Sequence, residues 1–440
     1  GCTNSTALNP RSLMLDTIGY LKASNSERFD GFGWDVALSA DGYTLAVSAA
    51  FESSNATGVN GDQTNNLSQQ SGAVYVFRRR GNAWHQEAYL KGGTNEVRQN
   101  FGISVLLNYH GTALSADGSI LAVAAPGEDV DGVEDAGVVY VFRRTRNAWS
   151  QVARLRAPEL QIQDFFGNSL DLSHDGRTLK VMSVLPRDSV TFPLTRTHIF
   201  VRPGNTWQHA VTLAPFHPED NCHSTRMSTD GQTLVSSCVT RDTGAGRIVT
   251  MKRSGNAWIH AADLPTPFYE IRQPVALSPD ASVMALLESR VMRVVGAYRW
   301  NGANWAREAG FTGPTSTDPF FLGNWGFDLA LNDTGQLLAI SDPQAREANA
   351  GVASTIMPGP VDLGAVYLYQ RGNTPADWRL RNVVKSPRPG FRDVFGLSIA
   401  LSASGRTLAV GAPAENSDAT GIDGDRNNEN AQDSGAAYLY

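Results

Sequence analysis

The sequence predicts an all-β protein that folds as a seven-bladed β-propeller of four-stranded antiparallel blades. A repeat of about 60 residues runs through the 440-residue chain, and each repeat holds four apolar runs of strand length. The two ends of the chain carry complementary parts of one repeat. Repeated units of four short strands are typical of β-propellers, in which each unit forms one blade.

The composition is that of a globular protein and excludes two classes of function. Hydrophobic residues make up 41% of the chain and charged residues 18%, which is a usual balance for a folded domain. The net charge of -6 offers no basic surface for nucleic acid. The longest apolar runs have strand length and fall well short of the ~20 residues that cross a membrane as a helix. We therefore expect no nucleic-acid partner, and a membrane contact only through a lipid anchor.

Each repeat contains strands A to D, with sequence markers at the turns between them. Asp-Gly between A and B and Gly-Asn between C and D both suit turn positions with positive φ. The A–B turns lie at Asp41, Asp117, Asp175, Asp230, Asp280, Thr334 and Ser404. Tryptophan follows the C–D turn in six repeats, where we predict that it packs between neighbouring blades: Trp84, Trp149, Trp207, Trp258, Trp305 and Trp378.

The ends of the sequence predict how the ring closes. The last repeat stops after strand C at Tyr440, and it lacks strand D. The segment Leu13 to Ser24 contains GYLKAS, which matches EAYLKGG in strand D of the first repeat. We therefore predict that residues 13–24 complete the seventh blade, that residues 13–440 form one propeller domain, and that residues 1–12 are a tether.

The strand A and strand B motifs resemble the FG-GAP repeat of integrin α-subunit propellers and their bacterial relatives. Phe-Gly begins strand A at Phe32, Phe101, Phe166 and Phe395, and GAP ends strand B at residues 411–413. The resemblance implies a seven-bladed propeller outside the cytoplasm, used for adhesion or protein binding. It does not carry over the family's calcium loop of the form DxNxDGxxD. The A–B turns here, such as SADGYT, offer at most two carboxylates, whereas calcium takes 6–8 oxygen ligands.

Three cysteines bear on the compartment of the protein. Cys222 and Cys238 flank a predicted hairpin around Asp230, so we expect a disulfide across it; the alternative is two free, buried thiols. A disulfide would indicate an oxidising compartment. Cys2 follows Gly1 and precedes a polar stretch, which resembles the end of a bacterial lipoprotein signal. The pattern predicts lipidation of Cys2 in an exported protein of the outer membrane, cell surface or periplasm; the alternative is a chain boundary that happens to leave a cysteine.

Long loops rich in acidic and amide side chains are predicted on one face of the ring. The loops Glu52–Gly72 and Glu415–Gly435, which we call the twin loops, share a pattern and belong to blades that become neighbours on closure. Loops on a rigid scaffold are common recognition sites, so we predict a partner-binding face there. Its residues are Glu52, Asn55, Asp62, Glu128, Asp129, Asp131, Glu415, Asp418, Asp423 and Asp425.

Two other interpretations of the twin loops remain open. Their spaced oxygen side chains could hold calcium, with candidate ligands at Glu52, Asn60, Asp62, Asp418, Asp423 and Asp425. The loops could also be simple solvated turns, in which Asn, Asp and Gly serve the backbone. A weaker metal candidate lies at His217 and His223, near Asp220 and Cys222, with a polar loop as the alternative.

Catalytic motifs are missing from the sequence, and we predict no catalytic residue. It has no GxSxG, HExxH, CxxC or phosphate-binding loop. The predicted function is therefore a non-enzymatic binding, adhesion or scaffold module at the bacterial cell surface, with a protein or glycan partner. The alternative is a carbohydrate-active enzyme with a carboxylate ring in the central channel, formed by Asp35, Asp171 and Asp328 of strand A.

Overall fold

The computed structural model describes residues 18–94, 96–104, 110–184, 195–240, 242–266, 274–289, 291–313, 324–345 and 363–440. All regular secondary structure in these ranges is β, arranged as seven antiparallel sheets of four strands. The described residues include no helix long and apolar enough to cross a membrane. The predicted fold class is confirmed.

The strands follow one another from the channel outwards in every blade except the seventh. Blade 1 comprises β2 (Phe32–Leu38), β3 (Thr44–Ala49), β4 (Ala73–Arg80) and β5 (Ala83–Leu90). Blade 2 comprises β6 (Thr112–Leu114), β7 (Ile120–Ala125), β8 (Val138–Thr145) and β9 (Ala148–Leu155). Blade 3 comprises β10 (Ser169–Leu172), β11 (Thr178–Val184), β12 (Thr195–Val201) and β13 (Gln208–Leu213).

The remaining blades repeat this order. Blade 4 comprises β14 (Asp220–Met227), β15 (Thr233–Thr240), β16 (Gly246–Ser254) and β17 (Ala257–Thr266). Blade 5 comprises β18 (Val275–Leu277), β19 (Val283–Ser289), β20 (Val294–Trp300) and β21 (Trp305–Thr312). Blade 6 comprises β22 (Leu329–Leu331), β23 (Leu337–Asp342), β24 (Ala365–Arg371) and β25 (Trp378–Val384). Blade 7 comprises β26 (Ile399–Leu401), β27 (Leu408–Ala412), β28 (Ala436–Leu439) and, from the start of the chain, β1 (Gly19–Leu21).

The first strand closes the ring, as the sequence predicts. β1 pairs antiparallel with β28, with Gly19 opposite Leu439 and Leu21 opposite Ala437. Blade 7 therefore takes its outer strand from one end of the chain and its other three strands from the opposite end. This pairing covers the edge that β28 would otherwise expose. The predicted closing segment begins at residue 13, and its residues 13–17 lie outside the described residues, as do the predicted tether and Cys2.

The Phe-Gly motif has a structural role at the seams between blades. Phe32 forms a parallel bridge with Gly435 of blade 7, and its N–H donates to the Ser434 carbonyl. In the same way, the backbone N–H groups of Phe101 and Phe166 donate to the carbonyls of Ser71 and Ala136 in the preceding blades. The phenylalanine ring enters the core while its backbone pairs with the neighbouring blade. The repeated motif therefore marks the seam and need not carry function.

Backbone hydrogen bonds link the A–B turns of neighbouring blades around the channel. The N–H of Ala40 donates to the Ala116 carbonyl, Ala116 to His174 and His174 to Thr229, each in the next blade. Within the turn, the Asp41 carboxylate accepts from the Ser39 hydroxyl and the Tyr43 N–H. Asp117, Asp175, Asp230 and Asp280 accept the same pair of hydrogen bonds in their turns. These carboxylates serve the turns.

The predicted tryptophan packing is confirmed where the ring is buried. Four of the rings are buried, and Trp258 and Trp378 are partly buried against clusters of their own that also contain residues of the preceding blade: Trp84, Trp149, Trp207 and Trp305 are the buried ones. Two of them also bond to the preceding blade. The Trp149 indole N–H donates to Glu87 of blade 1 at 3.1 Å, and that of Trp305 donates to the Thr250 hydroxyl of blade 4 at 2.8 Å.

The predicted disulfide is confirmed. Cys222 of β14 lies directly opposite Cys238 of β15, and the two form a disulfide. The bridge joins the inner two strands of blade 4. Such bonds are typical of proteins in oxidising compartments.

Candidate functional site

A buried ion pair holds the twin loop of blade 7 from beneath. The Lys22 ammonium, just after β1, lies 2.7 Å from the Glu415 carboxylate at the start of the loop. It also donates to the Ser434 hydroxyl and to the Ser417 carbonyl, at 2.8 and 2.9 Å. The Tyr20 hydroxyl completes the group with contacts to Glu415 and Ser417. These bonds tie both ends of the loop to the strand that closes the ring.

Blade 1 repeats this arrangement residue for residue. Lys91 lies 2.7 Å from Glu52 and donates to the Ser71 hydroxyl at 2.7 Å. The Tyr89 hydroxyl contacts Glu52 at 2.9 Å and Ser54 at 2.6 Å. Burial is the main influence on both lysines and lowers the pKa of each, while the paired glutamate acts in the opposite direction. The twin loops are thus anchored by two copies of one network.

The prediction of the partner-binding face is wrong for three of its residues. Glu52, Glu128 and Glu415 are buried, and none of them reaches the surface. Glu128 of blade 2 accepts from the Tyr140 hydroxyl at 2.9 Å and from the Arg154 guanidinium at 2.7 Å. Since each carboxylate is taken by a cation of its own blade, these residues shape the loops and cannot contact a partner. For the same reason Glu52 is not free to bind calcium.

The other predicted residues stay at the surface. Asn60, Asp62, Asp129, Asp131, Asp418, Asp423 and Asp425 are exposed, and Asn55 is half-buried. Asn60 and Asp423 occupy twin positions, and each accepts the backbone N–H of the anchoring tyrosine, Tyr89 or Tyr20. Asp62 and Asp425 accept an N–H two residues onward. In the described part of the chain, the loop carboxylates do not bring three ligand atoms within 4.8 Å of one another. They therefore form no preassembled calcium site, and calcium binding stays a prediction.

The segment 24–31 joins the twin loops into one surface, which we call the twin-loop face. Its Glu27 accepts from the Asn66 amide of the blade 1 loop. The N–H groups of Phe29 and Gly31 donate to Gln432 and Asp433 of the blade 7 loop. The two loops are therefore held against a common middle strip, with Phe29 at its centre.

Two buried aspartates lie behind this face. Asp30 and Asp393 precede the Phe-Gly motifs of blades 1 and 7 by two residues. Burial raises the pKa of each to about 7, and the nearby Glu52 and Glu415 act in the same direction. Each still accepts one backbone N–H, from Glu27 at 2.8 Å or Gly390 at 2.6 Å. These groups therefore lose their protons near neutral pH.

The inner strands surround a central channel with about 870 Å³ of empty space, counted out to its open mouth. Among the described residues, aliphatic side chains form most of its wall, and the charged or titratable side chains that line it are His110, Asp171 and Arg226. The predicted Asp35 and Asp328 lie just behind this lining. The charged and titratable side chains of this lining are thus gathered on blades 2, 3 and 4.

The predicted carboxylate ring divides into two networks. His110 lies between Asp35 and Asp328, with its Nδ1 at 2.8 Å from the first carboxylate and its Nε2 at 3.7 Å from the second. Asp171 lies apart and pairs with Lys180 at 3.0 Å and with Arg226 at 3.3 Å. Since Asp35 and Asp328 share His110 while Asp171 has cations of its own, the three do not act as one acidic ring, and that prediction needs correction.

All three aspartates connect neighbouring blades. Each accepts the backbone N–H of the next inner strand: Asp35 from Thr112, Asp171 from Met227 and Asp328 from Ile399. Despite burial, the cations and hydrogen bonds around Asp35 and Asp171 hold their pKa values below the ordinary range. Asp35 and Asp171 are therefore ionised links between blades, and a general acid would need the opposite shift of its pKa.

His110 makes stability depend on pH. Burial alone would lower its pKa, but Asp35 and Asp328 together raise it to about 10, above the value of 6.5 for a free histidine. The charged ring therefore stabilises the fold fully below pH 6.5, and this contribution is lost as the pH rises through about 10. We expect His110→Gln to lower the free energy of unfolding by about 2–3 kcal/mol at pH 6 and by much less at pH 10. Urea unfolding of both proteins across this range tests it, and a pH-independent difference would contradict it.

Comparison with known proteins supports the fold and leaves the family open. No model of a known protein family matches the chain, and no curated protein matches it. Among solved structures, the Cps50 (Swd1) β-propeller domain of Myceliophteria thermophila is similar with a TM-score of 0.51 at 12% identity, covering 89% of this chain and 95% of that one. A mitotic checkpoint complex chain is similar with a TM-score of 0.52 at 13% identity, covering 94% and 93% of the two chains. The periplasmic gluconolactonase PpgL of Pseudomonas aeruginosa is similar with a TM-score of 0.50 at 15% identity, covering 84% and 89%.

The chain has the β-propeller fold. At these identities the likeness extends to the fold alone, so the FG-GAP resemblance stays a prediction. The anchoring lysines were missed by sequence reasoning, although a signal for them was present. Tyr-Leu-Lys ends the outer strand in both GYLKAS and EAYLKGG, and a glutamate begins each twin loop. A lysine that recurs beside a recurring glutamate indicates a structural ion pair.

Proposed function

We propose that this protein is a non-enzymatic binding module that recognises a protein partner through its twin-loop face. One observation carries the proposal: two long loops are fixed from beneath by matching buried networks and bridged by segment 24–31. A loop held in one conformation loses little entropy when it binds, so rigid anchoring favours recognition. Solvated turns without a binding role would not require a buried ion pair beneath each loop.

The exposed side chains on this face favour a protein over a glycan. Leu67 of the blade 1 loop is 75% exposed, and Phe29 of the bridging segment is 53% exposed. Phe391, in the connection that leads into blade 7, is 57% exposed. Large apolar side chains surrounded by polar groups are typical of protein interfaces. Asp62, Asp418 and Asp425 form no ion pair among the described residues, so the partner would present basic groups to them.

The disulfide and the sequence around Cys2 support a compartment outside the cytoplasm. We propose that the protein is exported, because the Cys222–Cys238 bond belongs to an oxidising environment. Lipidation of Cys2 in the outer membrane stays part of this proposal, as does adhesion at the cell surface. The N-terminal tether would then leave the propeller free to present its recognition face.

Binding can be tested with defined probes. Surface plasmon resonance of the full chain against a panel of purified basic extracellular proteins, with a glycan array beside it, would identify a partner. For that partner, the double variant Phe29→Ser/Leu67→Ser is expected to weaken binding by about 30-fold or more, the effect of removing interface hot spots. Asp62→Asn/Asp425→Asn is expected to weaken it further at low salt, because these charges steer association.

A matched control separates the twin-loop face from general surface effects. Ile259 of β17 is also 53% exposed but lies on the outer strand of blade 4, so Ile259→Ser is expected to leave binding unchanged. Equal losses in the control and the double variant would contradict the proposal. So would a panel in which only glycans bound, or no probe bound at all.

A channel-centred hydrolase is the second candidate. It is supported by the polar group at His110, Asp171 and Arg226 in the channel wall, and by the fold shared with a protein named as a gluconolactonase. Against it, the lowered pKa values of Asp35 and Asp171 make these carboxylates weak bases, and His110 keeps its proton at neutral pH. Hydrolysis of glucono-lactone by the full chain that is lost in Asp171→Asn would favour this candidate.

A further inference from the structure

Two histidines and an aspartate meet on the outer side of blade 4, away from both sites above. His260 and Asp263 belong to β17, and His217 belongs to the connection between β13 and β14. The Nε2 of His217 lies 2.8 Å from one Asp263 oxygen, and the Nε2 of His260 lies 2.8 Å from the other. The three ligand atoms all lie within 4.8 Å of one another.

A β-bulge brings the two strand residues to one face. Positions three apart on a regular strand point to opposite sides of the sheet. Here His260 pairs with Met251, whereas Ala262 pairs with Thr250 and Asp263 with Val249, so Ala261 is an extra residue. The bulge restores His260 and Asp263 to the same side. Bulges often re-aim side chains in this way next to functional sites.

Aromatic packing orients both imidazole rings. Phe216 stacks on His260 with ring centroids 4.3 Å apart and an angle of 14° between the planes. The same phenylalanine meets His217 edge-on at 5.0 Å. The two histidines are 5.7 Å apart at a steep angle, so their Nε2 atoms converge on Asp263 from different directions. This packing limits the directions from which the two imidazoles can meet an ion.

The surrounding charge favours a dication. Glu219 lies 3.9 Å from Nδ1 of His217, where a carboxylate supports a metal-bound imidazole from behind. Asp220 is buried and pairs with Arg247 at 3.2 Å. The same Arg247 is the one cation near Asp263 among the described residues, at 3.9 Å. Three carboxylates thus face one guanidinium, and a divalent ion would offset the excess negative charge.

We propose that His217, His260 and Asp263 bind a divalent transition-metal ion of the zinc class. Two imidazole nitrogens and one carboxylate oxygen suit Zn²⁺ and its neighbours in the first transition row, and they do not suit calcium, which takes oxygen ligands. All three side chains are partly exposed, so water or a partner's side chain would complete the coordination. The site is independent of the twin-loop face and of its proposed function.

Zinc binding by the full chain tests this proposal. After removal of metal with EDTA, competition against a chromophoric chelator is expected to show one zinc ion per chain. His260→Gln and Asp263→Asn are each expected to weaken binding by at least about 100-fold, because the loss of a residue that only supports a ligand already costs about 10–100-fold. Addition of Co²⁺ is expected to give visible absorption bands that both variants lack.

Blade 3 supplies the matched control. His209 occupies the position of His260 at an equivalent bulge, but Thr212 stands where blade 4 has Asp263, with its hydroxyl 2.9 Å from His209. His209→Gln is therefore expected to bind zinc as the natural protein does. In the unaltered protein, zinc is also expected to protect His217 and His260 from acylation by diethyl pyrocarbonate, a readout that needs no variant. The absence of stoichiometric uptake, or equal losses in His209→Gln and His260→Gln, would overturn the proposal.

Discussion

Replacing Lys22 by methionine is expected to lower the free energy of unfolding by about 3–5 kcal/mol, the usual cost of leaving a buried charge without its partner. The Lys22 ammonium is fully buried and is bonded to Glu415, Ser417 and Ser434. Methionine fills a similar volume but leaves the Glu415 carboxylate uncompensated. Urea unfolding followed by tryptophan fluorescence measures the change. A second readout is proteolysis within the blade 7 loop, which is expected to rise because the loop loses its anchor.

The double variant Lys22→Met/Glu415→Gln identifies the cause. It removes both charges, so it is expected to recover a large part of the stability that Lys22→Met loses. The pair Arg379–Asp377, whose arginine is exposed, serves as the surface control, since Arg379→Met is expected to cost at most about 0.5 kcal/mol. If Lys22→Met and the double variant were equally unstable, packing and not charge would explain the loss.

The same network shows why sequence reasoning placed the loops well but misjudged part of their chemistry. Acidic residues at the start of long polar loops suggest surface ligands, because most glutamates are exposed. Glu52 and Glu415 are exceptions because a lysine from the adjacent outer strand reaches beneath the loop. Strand periodicity does not reveal which side chains meet across a blade. Comparison of the first repeat with the last would have shown that the lysine and the glutamate recur together.

The channel gives a parallel lesson. Asp35 and Asp328 lie at equivalent positions, three residues before the leucine that ends strand A, Leu38 or Leu331. Asp171 directly precedes Leu172 and lies opposite Lys180, so the prediction that all three aspartates match is wrong for Asp171. Their chemistry depends on which cations lie opposite, and those cations come from unaligned positions. His110 precedes the inner strand of blade 2, and Lys180 belongs to β11 of blade 3. Repeats therefore predict positions well, but the partners that set charge at those positions differ from blade to blade.

Ring closure itself was predictable because both halves of its signal lie in the sequence. The last repeat lacks an outer strand, and the spare strand at the start of the chain has the sequence of one. This spare strand, β1, pairs with β28. The seam between blades 7 and 1 was less apparent. It depends on how closely two backbones approach, and this distance is set by glycines whose role a strand pattern does not show.

Gly435→Ala is expected to have the second large effect, a loss of about 4 kcal/mol or more in the free energy of unfolding. Gly435 has a φ of 83°, where a side chain is strained. A Cβ atom at this position would also lie 2.1 Å from the Phe32 carbonyl oxygen and 2.4 Å from its nitrogen. These are backbone atoms of the neighbouring blade, so relief requires the seam itself to open.

Gly58→Ala separates strain from collision in this test. Gly58 lies in the blade 1 loop with a φ of 69°, but a Cβ atom there would meet nothing within 4 Å. It therefore carries the conformational cost alone, about 1–2 kcal/mol. Gly72→Ala, whose Cβ would lie 2.5 Å from the Phe101 carbonyl oxygen, repeats the collision at the seam between blades 1 and 2. If collision at a seam decides stability, Gly435→Ala and Gly72→Ala lower the free energy of unfolding by several kcal/mol more than Gly58→Ala does. If all three losses were alike, the left-handed backbone alone would explain these glycines, and the close seam would not be what holds the ring shut.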